Sequence, residues 1–150
     1  MKATDLLKKQ HKEVKALFKK VEKSENARER RQLMEEISQQ LELHTQIEEE
    51  MFYPAVRESG KKAEEMIDEA YEEHHVVKLV LKELPQVDPA DERFQAKMTV
   101  LSELVEHHAE EEEGEMFKIA EKALGKERLT ELGDEMAQRA GAPRGGRRAA

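Results

Sequence analysis

The chain has 150 residues, of which 40% are charged and only 4% aromatic, and its formal net charge is −8. That length fits one domain, the Lys, Glu, Leu and Ala enrichment fits helices with solvated outer faces rather than a sandwich or barrel, and the acidic balance excludes a general nucleic-acid partner. Cysteine is absent, which excludes disulfides, thiolate metal sites and cysteine nucleophiles, and no apolar run nears the roughly 20 residues of a membrane helix, so the expectation is no membrane partner and a cytoplasmic location.

Apolar residues spaced alternately by three and four predict four amphipathic helices facing a common core. The first runs from about Thr4 to Lys23 with the stripe Leu7, His11, Val14, Phe18, Val21. The second runs from about Ala27 to Tyr53 with Leu33, Ile37, Leu41, His44, Glu48, Met51, and Pro54 and Gly60 punctuate the stretch between it and the third. The third, about Lys61 to Leu84, carries Ile67, Ala70, His74, Val77, Leu81, Leu84 and ends before a loop from Pro85 to Pro89. The fourth begins near Pro89 and Ala90 with Asp88 as its cap and carries Phe94, Met98, Leu101, Val105, His108, Glu112, Ile119. A short fifth helix, about Lys126 to Arg139, packs Leu129, Leu132 and Met136 across one end. The expected fold is all-α, an up-down four-helix bundle with a short C-terminal fifth helix over residues 1–140. A disordered basic tail is expected over 141–150, with Arg144, Arg147 and Arg148.

The sequence repeats internally. A shift of 63 positions lays His11, Val14, Phe18 and Val21 on His74, Val77, Leu81 and Leu84. A shift of 64 lays Ile37, Leu41, His44 and Glu48 on Leu101, Val105, His108 and Glu112. Each half is a helix with one inward histidine followed by a helix with inward H-x-x-x-E. Beyond that point Met51-Phe52 matches Met116-Phe117 only if one residue is inserted near Gly114, so a register slip is expected there.

In H-x-x-x-E the two side chains stack one turn apart on the same face, and here that face belongs to the apolar seam. Leaving a buried amide or hydroxyl unpaired costs roughly 2–7 kcal/mol, and an isolated carboxylate far more. A dinuclear metal centre removes the penalty: His11, His44, His74 and His108 supply imidazoles, while Glu48 and Glu112 supply anions able to bridge two cations. This donor set suits iron or manganese better than calcium or magnesium, and zinc remains compatible. Glu111 and Glu113 rival Glu112 because of the slip. His75 and His107 lie about 100° off the seam and read as partly exposed, either being a possible fifth imidazole. Glu49 and Glu50 read as a solvated face, and Phe18, Phe52, Phe94 and Phe117 as packing.

The strings HKEVKALF, LELHTQIEEEMFYP, EEHHVVKLVL and VEHHAEEEEGEMF resemble the hemerythrin family, specifically the bacterial HHE cation-binding domains, from about Asp5 to about Met136. The resemblance implies a cofactor of two iron ions, a non-haem di-iron centre that is oxo- or hydroxo-bridged, with His11, His44, Glu48, His74, His108 and Glu112 as metal ligands. Oxygen-carrying hemerythrins have a further histidine one turn before the third-helix ligand, and here that position is Ala70. Tyr71 is a candidate to fill the gap as phenolate or hydrogen-bond donor, against simple packing. The function implied is a di-iron protein that binds or senses a small diatomic ligand (oxygen, nitric oxide) or peroxide, or that buffers iron. The alternatives are a di-iron oxidoreductase decomposing peroxide or reducing nitric oxide, and a metal-dependent regulatory module docking through the basic tail.

Overall fold

Residues 1–141 are described by the computed structural model, and among them every regular element is helical. The elements are α1 (Ala3–Lys23), α2 (Ala27–Ile47), α3 (Tyr53–Arg57), α4 (Lys61–Glu83), α5 (Glu92–Glu111) and α6 (Phe117–Gly141). A π-helical turn, Glu48–Phe52, joins α2 to α3, and a second, Glu112–Met116, joins α5 to α6. The bundle thus consists of α1, α2 with α3, α4, and α5 with the first part of α6. Apart from Gly141, which ends α6, the expected tail lies outside the described residues.

The predicted stripes face inward, and they form two apolar clusters rather than one. Val14, Phe18, Ile37, Leu41, Val77, Leu81, Phe94 and Leu101 fill one end. Leu7, Phe52, Tyr53, Ile67, Met116 and Phe117 fill the other, where Leu129, Leu132 and Met136 close the bundle as expected. Gly125, with φ 79°, turns the chain into this closing segment, a backbone conformation that favours glycine. The predicted histidines and glutamates form the layer between the two clusters, so a polar slab divides the apolar core.

Three sequence expectations are corrected. Asp88 does not cap the fourth helix: its Oδ1 takes the Ala90 N–H at 2.9 Å inside the loop, and Asp91, accepting from Arg93 N–H at 2.9 Å, is the cap of α5. Pro54 does not end the second helix, which resumes as α3 through Arg57. A proline inside an α-helix costs about 3 kcal/mol through a lost hydrogen bond and a ring clash. Here the π-turn has already shifted the bonding to five residues, with the Tyr53 N–H donating to the Glu48 carbonyl. The next carbonyl in that pattern, Glu49, would face the N–H that Pro54 lacks, and the Tyr71 hydroxyl donates to it instead at 3.2 Å.

The third correction concerns the register slip, which does not exist. Both π-turns begin at the same place in the repeat, Glu48 and Glu112, so the extra residue is present in both halves and the offset of 64 holds throughout. Phe52 and Tyr53 align with Met116 and Phe117, all four buried, whereas Met51 is only half-buried. The wider turn rotates the residues after it, which is why Phe52 rather than Met51 enters the core.

Candidate metal centre

The six side chains singled out by the repeat meet in the polar slab. Glu48, His74, His108 and Glu112 are at most 7% exposed and His44 is 5% exposed, while His11 keeps one edge toward a surface groove. They form two overlapping groups, His11, His44, Glu48, Glu112 and Glu48, His74, His108, Glu112, with donor atoms inside each group within 4.8 Å of one another. Glu48 and Glu112 belong to both groups. Glu112 thus takes the inward place ahead of its rivals, since Glu113 reaches only the outer nitrogen of His11 and Glu111 pairs with His107.

The contacts obey the twofold symmetry of the repeat. His74 Nε2 lies 3.0 Å from Glu48, and His11 Nε2 lies 3.1 Å from Glu112. Each ring also meets its neighbour edge-on, with centroids 4.9 Å apart for His11 and His44 and 4.8 Å for His74 and His108. The outer nitrogens obey the same rule: His11 Nδ1 is 2.7 Å from Glu113, His74 Nδ1 2.6 Å from Glu49, His44 Nδ1 2.6 Å from Gln10, and His108 Nδ1 2.5 Å from Glu73. An imidazole that donates from Nδ1 to an oxygen presents the Nε2 lone pair inward, the arrangement that holds metal-ligating histidines in one tautomer. Glu49, expected on a solvated face, is therefore half-buried and engaged with His74, and Lys78 Nζ completes its surroundings at 3.2 Å.

The two donor groups differ in what surrounds them. His11 Nε2, His44 Nε2, Glu48 Oε2 and Glu112 Oε1 are buried and make no well-aligned hydrogen bond, the first facing Glu112 at 3.1 Å and the second Glu48 at 3.3 Å, four donor atoms that a positive ion would satisfy together. Around the other group the Tyr53 hydroxyl touches Glu48 Oε1 at 3.2 Å, His74 Nε2 at 3.3 Å and His108 Nε2 at 3.2 Å, and forms a short contact with Glu112 Oε2. One hydroxyl has a single proton to donate, and so it cannot serve this company alone. The repeat pairs Tyr53 with Phe117, whose ring stacks parallel to His11. One group therefore has a phenol and the other a phenyl.

Sequence reasoning missed Tyr53 and named Tyr71 only as a candidate against packing; the Tyr71 hydroxyl is spent on the Glu49 carbonyl. His75 is exposed and outside the centre, and His107 lies on the surface near Glu111. Electrostatics support a cation-demanding site. Burial and the negative charges of Glu112 and Glu48 push the Tyr53 phenol well above its ordinary value. Burial would raise the Glu48 carboxyl, but the His44 charge and hydrogen bonds from three imidazoles hold it well below. Burial pulls His108 down, and Glu112, Glu48 and Glu73 outweigh it to leave the imidazole well above its usual range. His11 and His74 shift upward in the same way, burial being outweighed by the glutamates that face them.

Comparison with known proteins agrees with this construction. Residues 2–120 match the hemerythrin HHE cation-binding domain. An uncharacterised protein of Mycobacterium tuberculosis strain H37Rv is 33% identical over 141 residues, covering 93% of this chain and 85% of its own. A DNA nickase of Nostoc sp. PCC 7120 is 24% identical over 135 residues, covering 90% of this chain and 38% of its own. The crystal structure of a hemerythrin HHE cation-binding domain-containing protein from Mycobacterium kansasii, a homologue of the tuberculosis protein, superimposes with a TM-score of 0.82 at 29% identity, over 93% of this chain and 85% of that one. A duplicated helical bundle around a slab of histidine and glutamate, matched along most of its length, makes this chain a metal-binding member of the hemerythrin HHE cation-binding domain family.

Proposed function

We propose that the protein holds two iron ions between His11, His44, Glu48, His74, His108 and Glu112, and binds a small diatomic or peroxide there. Bound iron would supply an exchangeable coordination position and one-electron redox changes. The chain supplies everything else. Gln10, Glu49, Glu73 and Glu113 aim the four imidazoles, Glu48 and Glu112 face both positions, and Tyr53 adds a phenol oxygen to one of them.

The observation that carries this reading is the mismatch between Tyr53 and Phe117. It leaves the His11 and His44 position one donor poorer than its twin, and so able to accept a small ligand. An apolar void of about 20 Å³ lies against all four imidazoles and against Val14, Leu41 and Val77. That is room for one water-sized molecule. Outside it, a groove of about 570 Å³ between α1 and α5 is bordered by Lys8, Lys12 and Lys15. His11 and Val105 line both spaces, which makes the gap between them the route inward.

The test is metal analysis of the isolated protein with absorption spectra on reduction, reoxidation, and addition of nitric oxide or hydrogen peroxide. Two irons per chain and a spectral change with at least one ligand are expected, and Val105→Phe should slow that change without lowering iron content. Absence of iron, or a spectrum indifferent to every ligand, refutes the proposal. One observation favours the oxidoreductase reading: Tyr53 sets an oxidisable phenol inside the centre. Sustained turnover of peroxide or nitric oxide by the iron-loaded protein, lost in Tyr53→Phe, would support it.

A further inference from the structure

Outside the buried centre, His107 repeats the H-x-x-x-E spacing one residue out of phase. Its Nε2 lies 2.5 Å from Glu111 Oε1 and 3.8 Å from Glu73 Oε2, and donor atoms of the three residues fall within 4.8 Å of one another. Glu111 Oε1 is shut off from water and makes no aligned hydrogen bond despite this crowding. Two carboxylates and an imidazole so placed form a donor set for a divalent first-row cation.

The repeat shows that this trio is not a by-product of the duplicated centre. The equivalent positions in the first half are Gln10, Leu43 and Ile47, a neutral amide and two apolar side chains. Gln10 and Glu73 do the same work on the inner histidines, since one accepts from His44 and the other from His108. Only the second half adds charge and an exposed imidazole. A small void of about 20 Å³ begins here, its outer wall formed by Glu69, Glu73 and Glu111 and its inner wall by His108 and Glu112. It places two of the three surface residues, Glu73 and Glu111, on the same space as the buried His108 and Glu112.

We propose that Glu73, His107 and Glu111 form a second cation site, for a divalent first-row metal ion, and that ions pass from it along this void into the centre. The loading role rests on the reading of the buried centre given above, whereas the surface site stands on its own geometry. Glu73 is the shared element: one oxygen steadies His108 and the other faces the arriving ion.

The experiment uses the iron-loaded protein titrated with Zn²⁺ by calorimetry, and the metal-free protein mixed with limiting Fe²⁺ to monitor loading. The variant is His107→Ala with Glu111→Gln, both at the surface, which spares Glu73. Wild type should take up one zinc per chain that the variant does not, and the variant should load iron several-fold more slowly to the same final content. Equal zinc uptake, or equal loading rates, overturns the proposal. Failure of the buried centre would look different, as absence of iron from both proteins, and the one-equivalent difference in zinc would still decide the surface site.

Discussion

Oε2 of Glu49 lies 2.6 Å from Nδ1 of His74, while the preceding residue, Glu48, reaches the other nitrogen of the same ring at 3.0 Å. Consecutive residues of one π-turn thus grip both sides of an imidazole from another helix. The outer contact sets the tautomer that the inner one needs.

Removing that outer contact should weaken metal binding without unfolding the bundle. Loss of such a partner typically costs about 10–100-fold in metal affinity. Glu49→Ala and Glu73→Ala are each expected to fall in that range, measured by competition with a chromophoric chelator. Unchanged affinity in both would remove the positioning role.

Truncation of the inner side chains should act on stoichiometry rather than affinity alone. His44→Ala or Glu48→Ala is expected to lower iron content sharply, whereas His75→Ala, at an exposed position outside the cluster, leaves it unchanged. Elemental analysis of the three purified variants checks this, and equal iron in all of them would contradict the assignment.

Stability of the metal-free protein should depend on pH in a way the loaded protein reverses. Burial lowers His11, His74 and His108, but neighbouring glutamates outweigh it and raise all three above 6.5. Their stabilisation is complete below pH 6.5 and disappears as pH climbs through the raised values, while that from the depressed Glu48 is present above 4.5 and fades as pH falls through its lowered value. Cations compete with the same protons, so metal affinity rises with pH. The unfolding temperature of chelator-stripped protein should therefore fall above pH 6.5, as the loaded protein gains relative to it. A stripped protein that gains stability there would contradict the charge arrangement.

Gly133 should tolerate no side chain. A Cβ there would sit 2.0 Å from the Met1 carbonyl oxygen and 2.7 Å from the Ala3 nitrogen, both backbone atoms with little room to give. Gly133→Ala is expected to cost about 1–3 kcal/mol, as overpacking does, and to lower Tm while leaving iron stoichiometry intact. A calorimetric scan measures it.

The six central residues were legible because a polar group in an apolar seam is conspicuous, and the repeat showed it twice. Tyr53 was not. Counted along an α-helix it falls about 140° from Glu48, and only a turn closed over five residues brings it back to the same side. The Tyr53-Pro54 pair was the available signal, since a proline that does not stop a helix implies rearranged bonding upstream. The outer partners had a simpler pattern that went unread. Gln10 and Glu73 each precede a histidine of the centre, and Glu49 and Glu113 each come directly after a glutamate of it. Asp91 displaced Asp88 as cap because the loop absorbed Asp88 into its own turn, a choice that composition does not encode.

That both halves carry the same widened turn at the same place has an ancestral consequence. A single helical hairpin with one such defect, docked against a second copy of itself, would already present three donors from each chain to one shared slab. Within one chain neither half has to match the other, and Tyr53 opposite Phe117 is where the two differ.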